Sequence, residues 1–154
     1  MIKGNTIAAD FQFIGNRVSH FNLETNILNT NDQKVIPEFQ YDYNVITIDE
    51  SKESHFGIIE LLIRGKAKVG KSNLFKFDLT MEGAFLGGIN SLSKDKFSEM
   101  LELNGLVTLS QISRSFLLSV TSQSGINPPV RLPMINVVSL IEKKKSERDN
   151  KENK

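Results

Sequence analysis

The first half of the chain alternates apolar and polar residues with the period of a β-strand. Residues 39–45 read Phe-Gln-Tyr-Asp-Tyr-Asn-Val, which predicts a strand with one buried and one solvated face. Residues 75–85 alternate in the same way, and residues 58–68 begin apolar and end in alternating basic residues. Residues 11–23 predict a further strand, interrupted by a turn or bulge near Gly15-Asn16. We therefore expect four strands in this half.

The spacing of apolar residues changes to that of a helix in the second half. Ser93 is placed as the N-cap of a short helix that ends near Leu103, and Asn104-Gly105 predicts a break. Apolar residues spaced three and four apart then predict a longer helix from about Val107 to Ser122. Gly125 and the prolines that follow it are expected to end this helix.

Three prolines mark the next segment as extended. The prolines at 128, 129 and 133 exclude a helix, so residues 130–135 are predicted to cross the protein in an extended conformation. Asn136 can cap a last helix from Val137 to about Lys145. The charged end of the chain is expected to be disordered, which divides the protein into a single domain, residues 1–145, and a tail, residues 146–154.

The order of these elements favours one fold class. Strands come first and helices afterwards, which is typical of an α+β protein whose helices cover one apolar face of a sheet. The connection from Gly65 to Ser72 is too short for a parallel crossover. We therefore expect a four-stranded, mostly antiparallel sheet, followed by a long broken helix, a Pro-rich crossover and a short C-terminal helix.

Composition and charge narrow the function classes. The 154 residues include 19 Lys and Arg against 18 Asp and Glu, without the basic excess that is typical of nucleic-acid-binding proteins. The absence of cysteine excludes disulfides, thiol catalysis and cysteine-ligated zinc. The most apolar run, residues 57–63, is short and contains Glu60, so no transmembrane segment is predicted. We expect a cytoplasmic protein that neither binds nucleic acid nor inserts into a membrane.

One segment matches a nucleotide-binding motif. Residues 65–72, Gly-Lys-Ala-Lys-Val-Gly-Lys-Ser, fit the phosphate-loop pattern GxxxxGK[ST] at every position. That loop binds phosphates where a helix begins at the Lys-Ser pair, because the free N–H groups of the helix hold them. The residues after Ser72 alternate as a strand, so we predict a β-hairpin turn instead. A small nucleotide-binding enzyme that uses Gly65–Ser72 is the rival hypothesis from another class.

No catalytic or metal-binding arrangement is predicted. His20 and His55 have no second histidine, cysteine or acidic residue at ligand spacing on a shared element. The sequence also lacks a nucleophile-elbow motif and a paired-carboxylate signature. We therefore expect no enzyme activity, no metal and no cofactor. An adaptor that recognises one folded partner is a third hypothesis.

Several short stretches in the second half of the chain follow one another in a characteristic order. They are Phe85-Leu86-Gly87 at the end of the fourth strand, Leu109–Arg114 and Thr121 in the long helix, and Ser124-Gly125-Ile126 at its end. In Pro128–Val137, a crossover containing Pro and Leu follows the glycine and an asparagine opens the last helix. Through these stretches, and most strongly through Pro128–Val137, the second half of the chain resembles the SecB family of protein-export chaperones.

The resemblance implies a sheet of strand order 1-4-3-2 and a homotetramer built as a dimer of dimers. SecB-like proteins are ATP-independent holdases, so it also implies that unfolded or non-native polypeptides bind in apolar grooves beside the crossover. Met134 agrees with this function, because methionine adapts to varied partners. The alternative for each such residue is that it seals the core. The candidate client-binding residues are Leu132, Pro133, Met134, Ile135, Val137, Phe85, Tyr41 and Tyr43.

Two features depart from the export chaperones of that family. Their Cys/His tail binds zinc and docks on the translocase motor SecA, whereas residues 142–154 contain neither residue type. The solvated sheet face, acidic in the family, here combines Asp78 and Glu82 with basic residues of the third and fourth strands. The sequence therefore leaves contact with SecA and a role in export open. A chaperone dedicated to one client, such as an unstable antitoxin, is the alternative within the class.

Overall fold

The computed structural model describes residues 9–27 and 35–152, with side chains up to residue 150. In these ranges four strands precede three α-helices, which confirms the predicted α+β class. None of the described helices is both long enough and apolar enough to cross a membrane. The elements are β1 (Phe11–Thr25), β2 (Glu38–Glu50), β3 (Ser54–Val69), β4 (Ser72–Gly88), α1 (Lys94–Met100), a π-helical turn (Leu101–Gly105), α2 (Leu106–Gln123) and α3 (Val137–Glu152).

The strands form one antiparallel sheet in the order β1-β4-β3-β2. This is the order that the resemblance implies, and it makes β1 and β2 the edge strands. The register of β1 against β4 shifts between Phe13 and Gly15, which confirms the predicted interruption near Gly15 as a bulge. A second shift lies between Val18 and His20, so β1 bends along its length.

The segment that matches the phosphate-loop motif is the turn between β3 and β4. Val69 and Ser72 are cross-strand partners, and Gly70 has a φ of 59°, a left-handed conformation that glycine adopts at no steric cost. Strand β4 begins at Ser72, so the chain after Lys71 enters the sheet and not a helix. The segment therefore lacks the helix N-terminus that holds nucleotide phosphates.

The helix-facing side of β3 and β4 forms the centre of the core. Alternate residues of both strands are buried over most of their length. Glycines on this side allow the helices to approach the sheet closely. A Cβ atom at Gly57 would lie 2.6 Å from Leu101, and one at Gly83 would lie 2.7 Å from Leu109. The helices therefore pack directly against the backbone of the two central strands.

The chain does not break at Asn104-Gly105, in contrast to the prediction. Ser93 caps α1 as predicted, and its hydroxyl accepts a hydrogen bond from the Lys96 N–H at 3.2 Å. The helix then continues through the π-helical turn into α2. Gly105 is buried, and a Cβ atom there would lie 3.1 Å from Ile59. This glycine therefore serves close helix–sheet packing and does not end the helix.

Helix α3 is longer than predicted. Asn136 caps it as predicted, because its Oδ1 accepts a hydrogen bond from the Ser139 N–H at 3.1 Å. The helix continues past Lys145 to Glu152, and residues 153–154 of the predicted tail lie outside the described residues. An ion pair of 2.5 Å between Lys144 and Asp42 of β2 anchors the middle of the helix. Propagation from an anchored turn adds one hydrogen bond for each residue that is fixed, which accounts for the extra length.

Candidate functional site

The crossover, residues 124–136, is fixed to the end of α2 by Thr121. The Thr121 side chain is fully buried, and its hydroxyl donates a hydrogen bond to the Leu117 carbonyl at 2.6 Å. The same oxygen accepts a hydrogen bond from the Val130 N–H at 2.9 Å. The Thr121 carbonyl accepts another from the Ile126 N–H at 3.2 Å. One residue of α2 thus holds two positions in the first half of the crossover.

Gly125 turns the chain from α2 into the crossover. Its φ is 75°, the left-handed conformation that commonly ends helices. The bond from the Ile126 N–H to the Thr121 carbonyl is the longer hydrogen bond of a Schellman motif, which satisfies a carbonyl at the helix end. This geometry confirms the helix end predicted at Gly125, and it directs Ile126 into the core.

The crossover places some of its side chains in the core and others at the surface. Ile126, Val130 and Leu132 are 9%, 4% and 3% exposed, so their side chains complete the core. Pro133 is exposed, and Met134 is 78% exposed. A proline-rich extended segment has little conformational freedom to lose on binding. The exposed crossover residues therefore belong to a stiff segment, which its own buried side chains hold against the core.

A groove of about 680 Å³ lies between the first half of the crossover and the start of β4. Its volume is within the range of about 300–1,000 Å³ that is typical of ligand pockets. The lining is mainly apolar, and Arg131 is its one ionic residue in the described part of the chain. We call it the crossover groove. Its lining residues are Val35, Pro37, Leu74, Phe75, Ile126, Asn127, Pro128, Pro129, Val130 and Arg131.

Four of the predicted client-binding residues are part of the core. Phe85, Tyr43, Leu132 and Val137 are between 0% and 6% exposed. Phe85 points from the central strand β4 toward the helices, and it stacks on Phe11 with 5.1 Å between the ring centroids. In the folded protomer these four side chains support the surface and do not form it.

The other four predicted residues are at least partly accessible. Pro133 and Met134 are exposed, whereas Ile135 and Tyr41 are half-buried. Tyr41 lies beside α3, where it lines a separate cavity of about 380 Å³ together with Leu140. None of the eight predicted residues lines the crossover groove, which uses the first half of the crossover and not the second.

The groove is lined by residues that were not predicted to bind clients. Many of them are apolar residues near the ends of strands or in connecting segments. Leu74 and Phe75 are adjacent, which departs from strict alternation, and the register of β3 against β4 shifts beside them. The pair Pro128-Pro129 is a second apolar pair in a connecting segment. Both pairs are visible as signals in the sequence. Their meeting depends on the path of the crossover, which the sequence does not specify.

The two tyrosines of β2 are neutral. The Tyr43 hydroxyl donates a hydrogen bond to the Glu102 carboxylate at 3.2 Å. Burial, together with the negative charge of Glu102, raises the pKa of Tyr43 to about 12. Burial also raises the pKa of Tyr41, whose hydroxyl has no hydrogen-bond partner among the described residues. Neither phenol is therefore suited to proton transfer at neutral pH.

The two histidines lie far apart in character, His55 in the core and His20 on the surface. His55 is 1% exposed, its Nε2 lies 2.9 Å from the Leu92 carbonyl oxygen, and its ring stacks on Phe97 at 5.3 Å. His20 is exposed on β1. In residues 9–27 and 35–150, no group of three or more His, Asp or Glu side chains is placed to hold a metal ion. The feature best suited to binding is the apolar crossover groove.

Comparison with known proteins identifies the fold. No family model and no curated protein matches the chain. The structure is similar to that of the Mycobacterium tuberculosis SecB-like chaperone Rv1957 in complex with a ChAD peptide from the HigA1 antitoxin. The TM-score is 0.67 at 13% identity, over 86% of this chain and 96% of that one. A protein of unknown function from Streptococcus agalactiae matches with a TM-score of 0.46 at 13% identity, over 82% and 100% of the two chains. The protein therefore has a SecB-like fold.

Proposed function

We propose that this protein is an ATP-independent chaperone that holds non-native polypeptides in the crossover groove. The proposal is carried by the apolar groove of about 680 Å³ beside a crossover that Thr121 fixes, on a SecB-like fold. A groove that is already rigid loses little conformational entropy when an extended chain binds in it. An apolar lining discriminates only weakly among apolar side chains, which suits a protein with many clients.

The exposed part of the crossover extends the proposed binding surface. Pro133 and Met134 continue from the groove along the same stiff segment, and the half-buried Ile135 follows them. Methionine is flexible and polarisable, so Met134 can adapt to different client side chains. Tyr41 lies apart from this surface, beside α3, and is not included in it.

Suppression of the aggregation of an unfolded client, without nucleotide, tests the proposed function. Leu74 is half-buried in the groove, and Leu74→Gln should reduce suppression several-fold because it removes apolar contact area. Ile46→Gln is the matched control, because Ile46 is 53% exposed on β2 and does not line the groove. Melting temperatures of both variants are measured alongside. Equal suppression by both variants, or suppression that requires ATP, contradicts the proposal.

A chaperone dedicated to one client is the second candidate function. The observation that favours it is that the similar Mycobacterium tuberculosis structure is a complex with an antitoxin peptide. A dedicated chaperone should bind segments of its own client far more tightly than unrelated unfolded chains. Competition between an antitoxin-derived peptide and an unrelated unfolded protein separates the two functions. If both compete equally, the general holdase is favoured.

The side of the sheet that faces away from the helices, here called the outer sheet face, does not favour a role in export through SecA. Asp78 and Glu82 lie on that face, and each carboxylate forms an ion pair of 2.7 Å, with Arg64 and Arg17 respectively. These two carboxylates are thus paired with cations, whereas Glu60, in register with Glu82, accepts a hydrogen bond from Asn44 at 2.7 Å. We therefore do not propose SecA as a partner. Co-sedimentation of this protein with SecA would contradict that proposal.

We also propose that the protomers associate, as a dimer of dimers. Support comes from large apolar side chains that the folded protomer leaves exposed on one side of the helices, among them Leu103, Val107 and Leu118. Exposed apolar patches of this kind commonly mark interfaces between proteins.

A further inference from the structure

The crossover groove has positive charge at its rim. Arg131 is exposed in the groove lining and makes no ion pair with any described residue. Leu74 and Phe75 of the groove follow closely on the β3–β4 turn, whose Lys68 and Lys71 are likewise exposed and unpaired in the described part of the chain. The groove thus lies beside three cations, and in residues 9–27 and 35–150 no acidic side chain forms an ion pair with any of them.

The acidic residues at this end of the sheet face other cations. Glu38 pairs with Lys66 at 3.0 Å, and Asp78 pairs with Arg64 at 2.7 Å. Glu24 of β1 lies in register opposite a further lysine of β4. Each of these carboxylates therefore has a basic neighbour of its own, which leaves Arg131, Lys68 and Lys71 unpaired among the described residues.

We propose that the crossover groove selects extended apolar segments that carry acidic side chains. This inference rests on the proposed function and specifies its clients. The apolar side chains of such a segment would contact the lining around Leu74 and Phe75, while its carboxylates would pair with Arg131 and the lysines of the turn. Charge complementarity of this kind contributes more to selectivity and to the association rate than to affinity.

Solubility alone does not account for this arrangement. Lysines at strand ends oppose edge-to-edge aggregation, and Lys68 and Lys71 serve that purpose wherever a sheet ends. Arg131 lies in the lining of an apolar groove, where it does not protect any strand edge. A guanidinium group recognises carboxylates through paired N–H donors, so its position beside an apolar surface indicates a ligand with both properties.

Three fluorescent peptides test the proposal. They share the same apolar residues and differ only in their flanking residues, which are Glu, Gln or Lys. We expect the Glu peptide to bind about fivefold more tightly than the Gln peptide, and the Lys peptide to bind more weakly than both. Added salt should reduce these differences, because exposed charges are screened. Equal affinity for the three peptides would overturn the proposal.

Charge reversal locates the selectivity within the protein. Arg131→Glu and Lys71→Glu should each reduce the preference for the Glu peptide over the Lys peptide about threefold. Lys52→Glu is the matched control, because Lys52 is exposed in the β2–β3 connection at the opposite end of the sheet. If Lys52→Glu reduces the preference as much as Arg131→Glu does, the net charge of the protein is responsible and the assignment to the groove is wrong.

The Gln peptide separates the failure of this proposal from the failure of the proposed function. If the Gln peptide binds and Leu74→Gln weakens it, while the Glu and Lys peptides bind equally, only the charge selectivity is wrong. If the Gln peptide does not bind and aggregation of unfolded clients is not suppressed, the proposed function is wrong and the selectivity falls with it.

Discussion

Thr121 determines how an irregular segment is held in the core. A buried backbone N–H needs a hydrogen-bond partner, and none of the four described strands pairs with the crossover to provide one. The Thr121 hydroxyl accepts from the Val130 N–H, and it gives its own proton to the Leu117 carbonyl one helical turn earlier. All three polar groups are therefore satisfied without water, and the position of Val130 is fixed.

Replacing this hydroxyl should destabilise the fold. Thr121→Val keeps the shape of the side chain but leaves the Val130 N–H buried without a partner, at a cost of about 1–3 kcal/mol in the free energy of unfolding. Thr121→Ser keeps the hydroxyl and loses one buried methyl group, so it should cost only about 0.8 kcal/mol. Urea unfolding measures both values. A Thr121→Val variant as stable as the wild type would show that the hydrogen bond does not hold the crossover.

Substitutions at two nearby positions of the crossover should differ in their effect on the free energy of unfolding. Leu132 is 3% exposed, so Leu132→Ala should lower the free energy of unfolding by about 2–5 kcal/mol. Met134 is 78% exposed, so Met134→Gln should change it by less than about 0.5 kcal/mol. If Met134 contacts clients, Met134→Gln should nonetheless weaken client binding, by at most about 1.5–3 kcal/mol if the side chain is fully buried there.

Aggregation suppression measured beside urea unfolding separates the two roles of Met134. Loss of suppression without loss of stability places Met134 on the client surface. Loss of both would assign it to the core, and loss of neither would remove it from the binding surface.

At the scale of elements, α3 is attached to the rest of the protein by apolar contacts of its first turns and by charged contacts farther along the helix. Lys144 pairs with Asp42 at 2.5 Å, and Lys145 lies 3.8 Å from the Glu102 carboxylate. The apolar contacts of α3 come from its first turns. The second half of the helix is therefore the part whose attachment should depend on pH.

Acid should loosen α3. Burial alone would raise the pKa of Asp42, but hydrogen bonds from Lys144 and from the Tyr43 N–H outweigh burial and hold this pKa below its ordinary value of 3.8. A carboxylate with a lowered pKa stabilises the fold above its unfolded pKa, and this contribution is lost as the pH falls through the folded value. Hydrogen exchange of α3 amides, corrected for intrinsic rates, should therefore accelerate relative to the core below pH 3.8.

Asp42→Asn is the control for this pH dependence. The amide cannot titrate, so α3 in this variant should exchange faster than in the wild type at pH 7, with no further acceleration in acid. Equal protection of α3 in the wild type at pH 7 and in acid would show that the ion pair does not anchor the helix.

The strands and helix starts could be predicted where the local sequence pattern directly reflects which side chains are buried or which residue caps a helix. A half-buried strand must alternate, so residues 39–45 and 75–85 identified their strands, and Ser93 and Asn136 identified helix starts. The expected break at Gly105 was wrong. In a sequence, a glycine that permits close packing cannot be distinguished from a glycine that ends a helix. Only the position of Ile59 across the interface distinguishes the two.

The site could be predicted only in part. Three prolines indicated a stiff crossover, but the sequence does not determine which of its side chains point outward. The hydrogen bond between Thr121 and Val130 sets that alternation, because an inward Val130 makes Leu132 inward and leaves Arg131 and Pro133 outward. A shift of one residue would have exchanged the buried and exposed positions between Val130 and Pro133. This is the physical reason that the crossover residues of the predicted set could not be divided into core and surface from the sequence.

At the scale of the whole molecule, the protomer leaves apolar area uncovered on its helical side. Val107 and Leu118 are 44% and 37% exposed and lie three turns apart on α2, which places them on one side of the helix. Leu103 precedes them in the π-helical turn at 41% exposure. Phe13 and Val18 of the edge strand β1 are 42% and 38% exposed, and they are in register with buried, helix-facing residues of β4. The surface left by α2 and β1 is therefore apolar on two neighbouring elements.

Association through this surface is the last prediction. Sedimentation equilibrium should show a dimer or a tetramer at micromolar concentration, because a second protomer is the partner that is always present to cover it. Val107→Glu combined with Leu118→Glu should shift the protein toward smaller species, since burying two carboxylates in an apolar interface is strongly unfavourable. Ile46→Glu changes a side chain of similar exposure, 53%, on the edge strand β2 and should leave the assembly intact. A wild-type monomer at micromolar concentration would contradict the proposed assembly, and dissociation by Ile46→Glu alone would move the interface from α2 to β2.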